Sequence, residues 1–478
     1  METPPSPLAR LEPPRPSSID SAAMTLIVVL LISCVLHAVF SRARQYRTDT
    51  LYGRANGCQL PPELSKRWPL GIDRIIELWQ SDSEGHLLAH LCSVAAKEYE
   101  PGNNGYQYLL FGPRTFHVLH PKNVEVLLST NFKGVLWLGA RPSVFATLLG
   151  NGIFTQDGVA WKHSRELLRK QFARAQHRDL HHFHDHVSNM IACMPKDGTV
   201  DLQPLFFNLT LDIATELLFG KSVYSLRAGI DQAEGNRGFA ANFNLAQEGL
   251  AKRFRLVPFH FLYNPPSFWK ACHGVHQFLE QYIQEGGFTR NSLSQSEEEH
   301  GSASWFIRQL AEKSGSKTDI RNQLLNVLLA GRDTTACCLS WTFRLLVRHP
   351  DRMTRLRHEI KEVMSDETNP TREQIRRMHF LTCLIKESLR LYPPVPLNNR
   401  EAVRTTILPT GGGAGGTSPI LVRKGEVVRL LQNFPIIELP EGERIEPVGT
   451  ERQKLTLVLS SADGCRMRVS QNGPAEDI

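Results

Sequence analysis

Apolar residues along this chain fall into three patterns, and each predicts a different kind of element. Ala22 to Phe40 (AAMTLIVVLLISCVLHAVF) is one run without formal charge, close to the ~20 residues that cross a hydrocarbon core as a helix. Farther on, apolar positions recur at helical spacing over Ile72–Gln80, Trp161–Phe172, Leu209–Phe219, Ile320–Arg348 and Ile375–Leu391. Short strand-like runs occur at Tyr106–Phe111 and Glu426–Val428. The predicted fold class is mainly α with small β-sheets, behind one N-terminal transmembrane helix.

Polar and breaker residues set the divisions. Cys58-Gln59-Leu60-Pro61-Pro62 through Trp68-Pro69-Leu70-Gly71 places Pro and Gly where regular structure stops, so it reads as a stiff neck. The acidic, serine-rich stretch Asn291–Ser304 reads as a solvated loop and Gly411–Gly416 as a flexible turn. No Gly-Lys-Ser/Thr follows those glycines to make a phosphate cradle. The chain thus divides into a leader (1–21), a membrane span (22–40), a basic and Pro-rich neck (41–71), a large helical domain (72–428) and a C-terminal part of the same domain (429–478).

Charge gives the orientation. Arg42, Arg44 and Arg47 follow the apolar run at once, whereas Glu2, Arg10, Glu12, Arg15 and Asp20 are mixed before it. The excess of Lys and Arg on the C-terminal side places the main domain in the cytosol. A cleaved secretory signal fits less well, because the leader lacks a clean basic start. With 478 residues, 41% of them apolar, the chain can bury a large core. A net charge of +7 spread along the sequence gives no nucleic-acid footprint. The nine cysteines (34, 58, 92, 193, 272, 337, 338, 383, 465) form no C-x-x-C pair and no regular framework, as a reducing compartment tolerates, and they imply no metal site. Cys337 and Cys338, adjacent in a helical stretch, are expected to pack as small apolar residues.

Candidate chemistry sits in the longest amphipathic stretch. Ile320–Arg348, with Thr318 or Asp319 as a cap and Pro350 as a stop, predicts a helix of ~45 Å that crosses a whole domain. Gly331 removes a side chain where something flat can approach. The Thr334 hydroxyl can bond back to the Ala330 carbonyl and loosen the helix, and Asp333 adds an acid beside it. An acid and a hydroxyl there can deliver protons; an ordinary buried helix with a satisfied polar notch explains the same six residues equally well. Downstream, Glu387 and Arg390 are spaced to pair on one helix face before Tyr392-Pro393-Pro394 ends it.

The order of these signals resembles the cytochrome P450 family, in particular the fungal microsomal branch that hydroxylates n-alkanes and fatty acids. The likeness runs from about Leu51 to Arg468 and rests on Ala330-Gly331-Arg332-Asp333-Thr334-Thr335, Glu387-Ser388-Leu389-Arg390, Leu391-Tyr392-Pro393-Pro394-Val395-Pro396 and Arg400. Phe154-Thr155-Gln156-Asp157-Gly158 with Trp161 and Arg165 is similar to the family's helix whose Trp and Arg contact a haem propionate. Thr210-Leu211-Asp212, Ala214-Thr215-Glu216 and Leu218-Phe219-Gly220 also look like that branch.

The resemblance implies haem as cofactor, an NADPH-dependent reductase as electron donor, an apolar small-molecule substrate and an endoplasmic reticulum membrane location. By motif, Asp333 and Thr334 would serve oxygen protonation, Ala330 and Gly331 would line the haem face, and Trp161, Arg165 and Arg400 would lie toward the propionates. Glu387 and Arg390 would be structural. Taken singly, Trp161 also reads as a core anchor, Arg165 as a solvated charge and Arg400 as a loop charge.

The departure comes after Val428. The family continues into a meander, then Phe-x-x-Gly-x-Arg-x-Cys-x-Gly, then a helix behind the iron. Here Val428 runs straight into Arg429-Leu430-Leu431-Gln432-Asn433-Phe434, which resembles the last turn of that helix. Cys465 does not fit the ligand pattern, because Val458, Ser461 and Asp463 stand where Phe, Gly and a basic residue belong. Losing a core helix forfeits several apolar side chains worth ~1.5–3 kcal/mol each, so the chain is expected to be marginal. Two readings follow: a haem-thiolate monooxygenase whose full product contains the missing segment, or a haem-free remnant that binds at most apolar ligands or partners.

Overall fold

The computed structural model describes residues 18–98, 104–107, 112–131, 136–137, 141–175, 180–227, 234–257, 259–285, 307, 310, 316–365, 367, 369–431, 453–455 and 458–470. Helices dominate and the sheets are small, as the periodicity predicts. The expected loop at 291–304, most of the leader and the 432–434 stretch lie outside the described residues.

The first helix runs unbroken from Ser18 to Ala55, so the apolar span continues as helix for fifteen residues past Phe40 and the neck begins only after it. No glycine or proline occurs between Asp20 and Tyr52 to stop it. It ends where Gly57 takes a left-handed φ of 67°.

The core is organised by the helix Lys317–Arg348, 32 residues long. It starts after Ser316, three residues before Asp319 and without a side-chain cap bond, so neither Thr318 nor Asp319 is the cap. Ile320, Leu324, Leu325, Leu328, Ala336, Cys337, Trp341 and Leu346 are buried along it. Leu211 and Leu218 of the Leu202–Phe219 helix, with Phe239 and Phe243 of Glu234–Arg255, share its largest hydrophobic cluster. Cys337 is buried on the central helix, whereas Cys338 is half-buried.

Near its C-terminal end, the Trp341 ring lies flat on Tyr392, with centroids 3.9 Å apart and planes 5° from parallel. The Trp341 indole donates to the Leu459 carbonyl at 3.1 Å. One buried stack therefore ties the central helix to the Tyr-Pro-Pro turn and to the C-terminal strands.

A five-stranded sheet has the order Gly105–Gln107, Thr115–Val118, Val427–Leu431, Leu397–Ala402, Leu136–Trp137. The Val428–Arg429 junction lies inside its third strand. Val427 to Leu430 pair in parallel with Thr115 to Val118, and Val427 to Leu431 pair antiparallel with Glu401 to Leu397. Arg429–Leu431 are thus strand and not the end of a helix. Two neighbouring strands offer backbone partners on both edges, and the alternation suits a pleat: Val428 and Leu430 are buried, while Arg429 Nε donates to Asn399 Oδ1 at 3.1 Å. The later strands Gln453–Leu455, Leu459–Ser461 and Arg466–Ser470 follow, the last pairing with Asp197–Asp201.

Trp341→Ala removes the stack and the indole hydrogen bond together. We expect a loss of about 3–5 kcal/mol, read as a lower urea midpoint with an unchanged slope.

Candidate functional site

The middle of the central helix is partly open, between the buried stretch Asn322–Leu328 and the buried residues Ala336, Cys337, Ser340 and Trp341. Thr334 Oγ1 donates to the Ala330 carbonyl at 2.7 Å, the back-bond the sequence suggests. Ala330 and Thr334 are half-buried and Gly331 and Thr335 are exposed. A Cβ at Gly331 would meet only the Ala214 Cβ, at 4.0 Å. These four residues lie one turn apart in pairs, so they form a single window on one face of the helix.

Asp333 does not face that window. Consecutive helical residues point about 100° apart, and its carboxylate is buried on the other side of the helix. There Arg332 Nη1 donates to Asp333 Oδ1 at 3.1 Å and Arg332 Nη2 to Asn244 Oδ1 at 2.7 Å. The Arg332 guanidinium lies 5.3 Å from the ring centroids of both Phe207 and Phe243. Burial pushes the Asp333 carboxyl up to about 6, with Arg332 and Gln247 pulling it back. The acid and the hydroxyl are neighbours in sequence, yet each is engaged elsewhere: the hydroxyl with its own helix, the acid with Arg332.

The Phe154–Gly158 segment is fixed to the central helix by amides. Asn326 Oδ1 accepts from the Phe154 N–H at 3.0 Å and its Nδ2 donates to the Leu149 carbonyl at 3.1 Å. Gln323 Nε2 donates to Ser164 Oγ, which donates to Gln156 Oε1, both at 2.7 Å. A side chain at Gly152 would collide with Asn326. These bonds set the start of the helix Gly158–Ala175, where half-buried Trp161 carries the exposed Arg165 guanidinium 5.7 Å from its ring centroid.

Arg400 sits on the strand Leu397–Ala402, opposite Val428. Burial lowers its pKa, and Asp157 opposes that. Arg141, at the start of the helix Arg141–Leu149, is lowered by burial and by Arg400, with Asp157 again opposing. The structure thus brings Asp157, Arg400 and Arg141 together. Arg141 belongs to no motif, and nothing in the sequence singled it out.

Glu387 and Arg390 form a two-pronged pair, Nε to Oε2 at 2.7 Å and Nη2 to Oε1 at 2.6 Å. Their side chains are 52% and 45% exposed, so the pair contributes ~0–1 kcal/mol.

All nine cysteines are described. Burial raises the thiols of Cys58, Cys92, Cys272, Cys337, Cys338 and Cys465. Cys465 reaches about 12, with Asp201 adding to the burial effect and Arg344 opposing it. Its Sγ donates to the Ser340 carbonyl at 3.4 Å and its N–H to Asp201 Oδ1 at 2.7 Å. Among the described residues, no group of three or more His, Cys, Asp and Glu could hold a metal ion.

The cytochrome P450 family model matches residues 75–410, which include the window, Trp161, Arg165, the Glu387–Arg390 pair and Arg400. The chain belongs to the cytochrome P450 family. A cytochrome P450 of Arthroderma benhamiae is 36% identical over 92% of this chain and 97% of its own length. Cytochrome P450 52A13 of Debaryomyces hansenii is 36% identical over 84% of the chain and 78% of its own, and cytochrome P450 52-E3 of Starmerella bombicola 38% over 78% and 72%. The cytochrome P450DA haem domain shares the fold, with a TM-score of 0.61 and 18% identity over 78% of each chain.

Haem is the cofactor of this family, and the residues present fit it unevenly. At Gly331 a planar group can lie against bare backbone, and Arg400 and Arg141 bring positive charge to one place. For an axial sulfur, burial works against six of the nine thiols. In all six shifted cases burial, which favours the neutral form, is the largest influence.

Asp333 generates a pH prediction. Its folded-state pKa lies above the ordinary carboxylate value near 4, so the folded state binds the proton more tightly. Its contribution is fully present below about pH 4 and is lost as pH rises through about 6. Asp333→Asn should flatten the corresponding fall in the urea midpoint, whatever its overall offset; a curve parallel to the wild type would contradict the raised pKa.

Proposed function

We propose that this chain is a membrane-anchored member of the n-alkane and fatty-acid hydroxylating branch that keeps the oxygen-side half of the site and, in this form, lacks the thiolate that would hold the iron. The observation that carries the first half is the window at Ala330, Gly331 and Thr334, with Trp161 and Arg165 on a helix hydrogen-bonded to the same central helix and Arg400 on the large sheet. By resemblance, Ala330 and Gly331 line the haem face, the three flanking residues lie toward the propionates, and Glu387 with Arg390 is structural. Thr334 and Asp333 are the candidates for proton delivery. An acid poised near neutral pH suits that task, and Arg332 holds it on the far side of the helix.

Three observations support the second half. No Phe-x-x-Gly-x-Arg-x-Cys-x-Gly stands anywhere in the chain. Cys465 is buried beside an aspartate. The match to the Arthroderma benhamiae relative spans 509 positions, whereas 92% of 478 residues is about 440, so roughly 70 positions are filled by the relative alone. On this reading the chain as written carries no axial thiolate, and the haem-free alternative describes it.

The substrate class is a long-chain apolar molecule, and the electron donor of the complete enzyme is an NADPH-dependent reductase. The location is the endoplasmic reticulum membrane with the main domain in the cytosol, in keeping with Arg42, Arg44 and Arg47 after the apolar span. Lipid contact beyond the anchor is favoured by an exposed apolar surface. Trp68, Leu70, Ile72, Ile76 and Trp79 are exposed, and Asp82 near the end of the helix Ile72–Ser83 pairs with Arg255 at 2.7 Å, four and six residues before the exposed Phe259 and Phe261.

A ferrous carbon monoxide difference spectrum tests this. The chain as written should give no strongly red-shifted Soret band, and a Cys465→Ser variant should give the same result. Inserting a family-type cysteine loop and helix between Val428 and Arg429 should bring the band up. A red-shifted band from the unaltered chain overturns the proposal.

A further inference from the structure

The anchor helix is gripped where it leaves the apolar span. Tyr46, Thr50 and Gly53 are spaced i, i+4 and i+7 and share one face of the helix. The Arg423 guanidinium lies 4.2 Å from the Tyr46 ring centroid, and its Nη2 donates to Thr50 Oγ1 at 3.2 Å. Arg423 is itself held: its N–H donates to Glu426 Oε2 at 2.7 Å, and its Nη1 lies 3.7 Å from Glu426 Oε1. One turn on, a Cβ at Gly53 would stand 2.9 Å from Leu421 Cδ2. The helix therefore packs closely on the strand Ser418–Val422. Asp49, on the same side, is buried and accepts from Gln45 Nε2 at 2.9 Å.

The chain beyond the helix is held as well. The Cys58 N–H donates to the Gly53 carbonyl and the Gln59 N–H to the Pro419 carbonyl, both at 2.9 Å. The Gly413 N–H donates to the Leu60 carbonyl at 3.0 Å. A side chain at Gly412 would collide with the Gln59 carbonyl oxygen and stand 2.8 Å from that of Pro419. The glycine-rich turn is thus a cradle into which the neck is laid. Then the Tyr106 N–H donates to the Pro62 carbonyl at 3.0 Å and the Leu64 N–H to the Tyr106 carbonyl at 2.8 Å, with Leu64 buried.

We propose that the Arg423 clamp and the Gly412–Gly413 cradle make the membrane anchor and the main domain one rigid body, so that the bilayer's hold on the helix fixes the tilt of the domain. The lever is short. From Phe40 to Ala55 the helix rises ~22 Å, and the grip begins at Tyr46. This inference rests on the membrane-anchored half of the proposed function and is independent of haem.

Limited trypsin digestion of the full chain in lipid nanodiscs tests it. Arg47 and Arg54 lie within the gripped helix, and proteolysis needs local opening. Exposed Arg376, on a helix elsewhere in the domain, serves as internal reference. A Tyr46→Ala/Thr50→Ala variant removes the two helix-side partners of Arg423. Alanine raises intrinsic helix propensity, so faster cleavage in the variant cannot come from a weaker helix. Arg423→Gln removes the clamp from the domain side.

The expected result is a rise of about tenfold, in both variants, in cleavage at Arg47 and Arg54 relative to Arg376. A ratio unchanged from the wild type overturns the proposal, and so does a wild-type chain cut at Arg54 as fast as the variants. A rise in cleavage at Arg376 itself above the wild-type rate marks global unfolding in place of clamp release and counts against the proposal.

Discussion

The burial of one helix governs the arrangement of everything else. Lys317–Arg348 is covered by Leu202–Phe219 along one side and by apolar side chains of Glu234–Arg255 beyond it. Its polar positions are also spent on its neighbours. Asn326 and Gln323 fix the segment that starts the Trp161 helix, Arg332 reaches Asn244, and Trp341 reaches Leu459. Buried amides and a buried cation are costly unless satisfied, so each of these bonds makes the position of a neighbouring element nearly obligatory. The window at Gly331 is the stretch of this helix where covering side chains are withheld.

Much of this was legible in the sequence because it depends on local periodicity. The long helix, the Thr334 back-bond, the Glu387–Arg390 pair and the mainly helical fold follow from spacing along the chain. Other features depend on which surface meets which. Asp333 reads as a partner of Thr334 in one dimension, and only the 100° step of the helix turns it onto Arg332. Arg141 carries no motif and acquires meaning only beside Asp157 and Arg400. The glycines at 411–413 read as a flexible turn because the chain that lies against them is some 350 residues away. Arg42 to Ala55 read as neck because the end of an apolar run was taken as the end of a helix, whereas the backbone is indifferent to that change in polarity.

The site draws on both parts of the chain. The window is assembled by helix packing and by amides within the first 400 residues or so, and the same central helix is tied to the C-terminal strands: Arg344 Nη1 donates to the Gly464 carbonyl at 3.0 Å, Cys465 Sγ donates to the Ser340 carbonyl, and Ala336 packs with Cys465 and Met467. The anchor's clamp and cradle are made by Leu421, Arg423 and Gly412.

The third strand of the large sheet carries a consequence for how a cell treats this chain. Were the strand to stop at Val428, Thr115–Val118 and Leu397–Ala402 would each present an unpaired edge, the kind of template that draws chains into aggregates. Arg429, Leu430 and Leu431 close both edges at once, with Leu430 buried where an apolar residue is needed. Chaperones and proteases act on exposed apolar surface and locally open backbone. With the third strand running through Val428–Arg429, these two edges offer neither, whatever the chain's capacity for catalysis.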